Sequence, residues 1–244
     1  MRSTVLVCVA TSLFAVAGCF EARASEEPLS SPMHVVVVTE LTAPPLGGDG
    51  PTTFELALQD ERGETRISGA ALAGVAFQDG ALVLRANGIL EMVRGATGEQ
   101  VDQGVIVAPV VSRDGMHAAW VSGRPLDEAA LIVVDTSGAR LEAATGLVSM
   151  GAIAFEDVQS HRRIAFVGAV NGGIAGVWVT SVDGSMRTRC LTNCQLRTGA
   201  DLSEMTPLPE SPLAFVQDEI RWRAEGQTES VRLTSGATSS LGAE

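Results

Sequence analysis

Pro109-Val110-Val111-Ser112-Arg113-Asp114-Gly115, then Ala118-Ala119-Trp120-Val121-Ser122, then Leu131-Ile132-Val133-Val134-Asp135 with the turn Thr136-Ser137-Gly138, is the stretch on which the reading of this chain rests. Branched and aromatic side chains fit a pleated, half-buried surface, so each apolar run reads as a strand. Asp-Gly suits the tight turns of hairpins, where type I′ geometry needs positive φ. The stretch therefore predicts consecutive antiparallel strands.

The same order recurs. Arg163-Ile164-Ala165-Phe166-Val167-Gly168 precedes Gly176-Val177-Trp178-Val179-Thr180, the turn Val182-Asp183-Gly184 and Leu191-Thr192. A further copy runs Leu213-Ala214-Phe215-Val216, Ile220-Arg221-Trp222-Arg223, Val231-Arg232-Leu233-Thr234. A weaker one is Phe77-Gln78-Asp79-Gly80, Leu82-Val83-Leu84, Ile89-Leu90-Glu91-Met92-Val93. Ala119 and Ala165 are 46 positions apart, Ala165 and Ala214 are 49. Such periods suit a propeller blade of about 40–50 residues. Outside the amino-terminal segment no helical periodicity persists, although Leu126–Ala130 is compatible with one helical turn. The expected fold is all-β, a propeller of about five four-stranded blades over residues 33–244, with Met33 to Ser68 as the first blade. A β-sandwich is the alternative. Trp120, Trp178 and Trp222 each sit within an apolar strand and are expected to fill contacts between blades.

The repeated order resembles the TolB-like family of β-propeller repeats, whose S-P-D-G turn, aromatic-ended strand, I-W-V strand, D-x-x-G turn and closing L-T are followed best by Ser112 to Gly138. Arg113 stands where the family has Pro, Gln159-Ser160-His161-Arg162 replaces the second Asp-Gly turn, and Glu210-Ser211-Pro212 the last. The resemblance spans about Val75 to Thr234 and implies a non-catalytic propeller of the kind found in exported proteins.

The amino terminus reads as an export signal: Arg2, then an uncharged, mostly apolar run from Ser3 to Gly18. Sixteen helical residues would span about 24 Å, short of a hydrocarbon core of about 30 Å. Val16-Ala17-Gly18-Cys19 resembles the lipobox of bacterial lipoproteins, with residues 1–18 removed and Cys19 acylated, although Val16 stands where the family more often has Leu. Ala22-Arg23-Ala24 offers ordinary signal-peptidase cleavage instead. The lipobox is favoured because Cys19 ends the apolar run. It implies attachment to the lipid bilayer through acylated Cys19, held firmly only by more than one acyl chain. Residues 19–32 form a polar tether with Glu26, Glu27 and two Pro. Phe20 follows Cys19 in place of the Asp that, in lipoproteins, favours inner-membrane retention, so the outer membrane of a two-membrane envelope is the expected address.

Cys8 falls inside the signal. Cys190 and Cys194, spaced C-x-x-x-C, read in an oxidising compartment as a disulfide pinning a short turn. A zinc site would need further ligands nearby, and none is there in sequence.

Composition narrows function. The chain has 244 residues, 17 Lys plus Arg (all Arg), 29 Asp plus Glu and a formal charge of −12. Scattered arginines among carboxylates argue against nucleic-acid binding. No G-x-S-x-G elbow, P-loop, G-x-G-x-x-G or H-E-x-x-H occurs. His34, His117 and His161 read as strand-edge or turn residues. The adjacent pairs Asp60-Glu61, Asp127-Glu128, Glu156-Asp157 and Asp218-Glu219 point to opposite faces of a strand rather than forming a shared acid–base site. Gly47-Gly48-Asp49-Gly50 lacks the alternating acids of a calcium loop. No catalytic residue, cofactor or metal is expected. The predicted role is a lipid-anchored scaffold that binds another protein of the cell envelope. The rival is an enzyme or small-ligand binder with its site at the channel mouth, drawing on His117 or Asp114.

Overall fold

The computed structural model describes residues 34–41, 52–60, 63–123, 129–156, 162–170, 176–192, 213–224, 227–234 and 238–240. Among these residues every element is a strand. β1 (His34–Leu41), β2 (Thr53–Asp60) and β3 (Gly63–Ala71) form a three-stranded sheet. β4 (Ala73–Phe77), β5 (Gly80–Leu84), β6 (Leu90–Arg94) and β7 (Thr97–Asp102) form a four-stranded one. A seven-stranded sheet follows, made of β8 (Val105–Val111), β9 (His117–Gly123), β10 (Ala129–Asp135), β11 (Arg140–Phe155), β12 (Arg163–Val170), β13 (Gly176–Ser181) and β14 (Arg189–Cys190). The last sheet holds β15 (Ala214–Val216), β16 (Glu219–Ala224), β17 (Gln227–Arg232) and β18 (Thr238–Ser240). All pairings are antiparallel and each sheet contains only consecutive strands. Two layers exchanging strands, as in a Greek-key sandwich, are not what these residues form.

β11 is two strands in one. Arg140 to Leu147 pairs with β10, and Leu147 to Phe155 pairs with β12. The seven-stranded sheet is therefore two four-stranded meanders sharing one long strand. Gly146 at φ 70° and register shifts after Leu147 and Met150 bend the strand there without breaking it.

Sheets pack face to face in chain order, as propeller blades do. Strand residues alternate between two neighbours because successive side chains point to opposite faces. Ala118 and Trp120 of β9 meet Phe77, Leu82, Leu84, Leu90 and Met92 of the preceding sheet. Ala119 and Val121 of the same strand meet Ile153, Ile164 and Phe166 of the following meander. Ala165 and Val167 then face Ile220, Trp222, Val231 and Leu233 of the last sheet. At the start, Leu56, Leu58 and Ile67 face Ala81, Val83 and Val93. The first strands, β1, β4, β8, the second half of β11 and β15, lie beside one another along the inner side.

The tryptophans lie at these contacts. Trp120 is fully buried and donates from its indole N–H to Asp102 at 2.6 Å, with Arg140 over its ring. Trp222 is buried in the last junction. Trp178 stacks on Phe166, ring centroids 6.5 Å apart, and donates to the Gly168 carbonyl.

Three details correct the sequence reading. Among the described residues the first sheet has three strands where four were expected. The last sequence copy was aligned one strand out: Ala214 lies on β15, the first strand of its sheet, whereas Ala119 and Ala165 lie on second strands. A short apolar run carries no mark of its place within a sheet, and β15 is as apolar as β12 although Ala214 is exposed, so a first and a second strand look alike in sequence. Finally, Asp114-Gly115 is not a two-residue type I′ link. Gly115 has φ 69°, but the non-glycine residues at positive φ are Gln78 and Gln217, in the two-residue links Gln78-Asp79 and Gln217-Asp218.

Truncating a junction residue leaves a cavity between two sheets. Phe166→Ala and Trp120→Ala are each expected to cost about 3–5 kcal/mol, against less than about 0.5 kcal/mol for Arg113→Ala in an exposed turn. Denaturant unfolding of the three variants checks this, and equal small losses would contradict the face-to-face packing.

Candidate functional site

The hairpin turns β4–β5, β8–β9, β10–β11, β13–β14 and β15–β16 each carry an aspartate, and the first three are linked at one end of the stack. Gln78 Nε2 donates to the Thr136 carbonyl at 3.1 Å, joining the second sheet to the third, and the Thr136 amide donates to Met116 O at 3.1 Å, joining two turns of the third sheet. Asp114 Oδ1 accepts from Ser112 Oγ at 2.6 Å and from the Met116 amide at 3.0 Å. Asp135 Oδ1 accepts from the amides of Ser137 and Ala139 and from Ser137 Oγ. Asp183 accepts from the Ser185 amide, Asp79 pairs with Arg94 at 2.6 Å, and Asp218 accepts from Thr234 Oγ1 at 3.0 Å. Asp side chains satisfy turn amides that would otherwise face only water, the usual reason for Asp at such positions.

These bonds shape the electrostatics. Hydrogen bonds from Ser185 hold Asp183 down to about 2. The Arg94 hydrogen bond lowers Asp79, and the Ser137 hydrogen bond lowers Asp135. Partial burial opposes ionisation of Asp114, but the hydrogen bonds from Ser112 and the Met116 amide, with His117 and Arg162 nearby, outweigh it and leave it lowered. His117 is lowered by burial first and by Arg162 second, with Asp114, Asp135 and Asp183 pulling the other way. The turn end is thus a fixed array of carboxylates around one imidazole biased towards its neutral form.

His117 and Asp114, the residues of the channel-mouth alternative, do come together here. Asp114, however, is occupied by its own turn, and a groove formed by described residues lies elsewhere. That groove, about 700 Å³, runs between β3 and the β6–β7 hairpin, and is lined by Arg66, Ser68, Arg85, Asn87, Glu91 and Val93 among others. Arg85 pairs with Glu91 at 2.8 Å and donates to the Gly69 carbonyl at 3.2 Å, clamping the first sheet to the second. Sequence reading missed this group. Its one available signal was the Arg85-Ala86-Asn87-Gly88 turn with Glu91 beyond it, which places an Arg and a Glu on neighbouring strands of a hairpin.

A second buried ion pair closes the β11–β12 hairpin: Glu156, almost fully buried, takes both guanidinium nitrogens of Arg163, which this bond raises further above its ordinary value. Asp218 and Glu219 part as adjacent strand residues do, Asp218 to Thr234 and Glu219 to Arg221 and Arg232. His34 opens β1 and is exposed. Cys190 ends β14, its Sγ beside the Thr192 carbonyl. Cys8, Cys19, Cys194, His161, Glu61, Asp127, Glu128, Asp157, Leu126–Glu128 of the suggested helical turn, and the Gly47–Gly50 stretch lie outside the described residues, as do the signal (1–18) and tether (19–32). Among the described residues no three His, Cys, Asp or Glu are grouped to hold a metal ion.

No family model and no curated protein matches the chain. Among solved structures it is similar to the crystal structure of TolB from Acinetobacter baumannii, at 12% identity and a TM-score of 0.28, over 88% of this chain. The match spans 64% of that chain, so this chain covers less than two thirds of it.

Acid should weaken the fold in two windows. The lowered aspartates stabilise the native state fully above their unfolded value near 3.8, and that contribution is lost as pH falls towards 2. His117, also lowered, contributes fully above about 6.5 and loses it as pH falls through its folded value. Thermal melts from pH 7.5 to 2 should show both declines, and His117→Gln should remove only the upper one. A flat profile down to pH 4 in the parent protein would contradict the assignment of His117.

Proposed function

We propose that the protein is an exported, lipid-anchored, non-catalytic scaffold of the bacterial cell envelope that recognises another protein through the turn end of its stacked sheets. The observation that carries this reading is how the polar side chains at that end are used: Ser112, Asp114, Asp135, Ser137 and Asp183 hold turn backbones and do not converge on a cavity. A set of turns held in fixed shape by their own side chains is a preorganised surface, which lowers the ordering cost of binding a partner. Its carboxylates favour a partner with a basic face and steer its approach.

The anchor is read from the sequence. Acylated Cys19 would hold the chain to the bilayer, with residues 20–32 as spacer and the outer membrane as the address, the sheets facing the periplasm or the cell surface. The Cys190–Cys194 disulfide belongs to the same proposal, since it requires an oxidising compartment. Catalysis, a cofactor, a resident metal and nucleic-acid binding have no part in it.

Two measurements test the proposal. Mass spectrometry of the mature amino terminus should find a lipid-modified Cys19, and a chain beginning at unmodified Ser25 would overturn the anchor. A photo-crosslinker placed at Arg113 or Ser137 in envelope preparations should yield one discrete protein adduct, which the same crosslinker at Thr97 does not give. Turnover of a small substrate by the purified chain, with no such adduct, would overturn the scaffold.

A further inference from the structure

Gln78 stands in the two-residue link between β4 and β5 with a backbone φ of 56°. Most side chains are disfavoured there, and Gly or Asn is the usual occupant because neither meets the full steric cost. A residue held in such a conformation persists only where its surroundings fix it. Both ends of the Gln78 side-chain amide are in use. Oε1 accepts from Arg94 Nη2 at 2.8 Å, and Nε2 donates to the Thr136 carbonyl at 3.1 Å. Arg94 is itself fixed, pairing with Asp79 at 2.6 Å. The first bond stays within the second sheet, and the second crosses to the β10–β11 turn of the third.

The chemistry of this bridge selects its residue. A guanidinium only donates and a carbonyl only accepts, so the group between them must accept at one end and donate at the other. A primary amide does both, whereas Glu would meet Arg94 and repel the Thr136 carbonyl, and Lys would do the reverse. Asn suits the backbone better and carries the same amide, but it is one methylene shorter. Gln at this position therefore gives up turn propensity for reach. Beyond Thr136 the bonds continue. The Thr136 amide donates to Met116 O at 3.1 Å, and the Met116 amide donates to Asp114 Oδ1 at 3.0 Å. Ser112 Oγ donates to the same oxygen and accepts from the His117 amide at 2.9 Å. Three turns of two sheets thus share one hydrogen-bonded series, and it crosses between the sheets at Gln78.

We propose that Gln78 is a positioning residue for the turn end: its amide sets where the β8–β9 and β10–β11 turns stand relative to the β4–β5 hairpin, and its release frees the turns of the third sheet from the second. The proposal rests on the scaffold reading and deepens it. The surface offered to a partner is then a unit of two sheets, held in shape by one side chain apart from the Asp and Ser residues that hold each turn. A partner touching Asp114 or Ser137 depends on Gln78 without contacting it, because loosened turns must be ordered again on binding.

The test uses the purified mature protein and hydrogen exchange of single amides followed by NMR. In Gln78→Asn, which suits the turn and loses the reach, the Thr136 amide should exchange about tenfold faster, while Ile132 and Val133 in the middle of β10 keep the parent rates. Gln78→Glu, which keeps an acceptor for Arg94 and removes the donor, should have the same effect at Thr136. Gln217→Asn, the same change at the same φ in the last sheet, should leave Thr136 as it is. Unchanged exchange in Gln78→Asn overturns the proposal. Equal acceleration across β9 and β10 also overturns it, since the effect would then be one of overall stability. In envelope preparations the adduct formed from Ser137 should fall about fivefold in Gln78→Asn, and an undiminished adduct overturns the positioning role. No adduct in the parent protein refutes the scaffold reading, and exchange at Thr136 then decides this inference by itself.

Discussion

A four-stranded antiparallel sheet has two faces, and in this protein the inner sheets bury both. Strand β9 shows the constraint at single-residue resolution: Trp120 belongs to one junction and Val121 to the next. Neither sheet could keep its apolar side chains from water alone, since each needs a neighbour on either side. Stability is therefore a property of junctions, and the order of sheets along the chain follows from it. The earlier links between successive sheets are very short, one residue between β3 and β4, two between β7 and β8 and none across β11, so these sheets are delivered directly to the faces they cover, whereas residues 191–213 separate β14 from β15.

Much of this was legible in the residues. Apolar runs broken by Asp, Gly and Ser marked the strands and turns, because turn geometry and strand burial demand different side chains. The three tryptophans were read as junction residues because each sat inside an apolar run, and that is where they pack. What escaped reading was the assignment of strands within a sheet. Leu213-Ala214-Phe215-Val216 resembles Ile164-Ala165-Phe166-Val167 residue for residue, yet one is a first strand and the other a second. Ile164 to Val167 is buried on both faces while Ala214 is exposed and Phe215 and Val216 are half-buried, so equally apolar residues occupy different environments. The continuity of β11 was likewise hidden, since Gly146 at positive φ bends a strand in the same sequence language that ends one.

The turn end was legible as turns and not as a surface. Asp114, Asp135 and Asp183 announce hairpins, and their hydrogen bonds are local, within a few residues. The bonds from Gln78 to Thr136, between sheets, and from Thr136 to Met116, between two turns of one sheet, join residues far apart in the chain and leave no sequence trace. The Arg85–Glu91 clamp falls between these cases. Its ion pair is local to one hairpin, but its purpose, holding the bulged end of β3, appears only when two sheets meet.

The same constraint explains where recognition surfaces can arise. An inner sheet has no free face, so its contact with anything outside is confined to turns and to edges. Among the described residues the first sheet packs on the second, and it carries the charged Glu55, Glu64 and Arg66 where inner sheets carry Val, Ile or Phe. The last sheet does the same with Glu219, Arg221 and Arg232 opposite the face that buries Ile220 and Trp222. β3 seals Ile67 against Val93, and a groove lies beside it between the first and second sheets. Selection for packing thus acts hardest on the middle of the stack, and chemistry that varies is left to its turns and its ends.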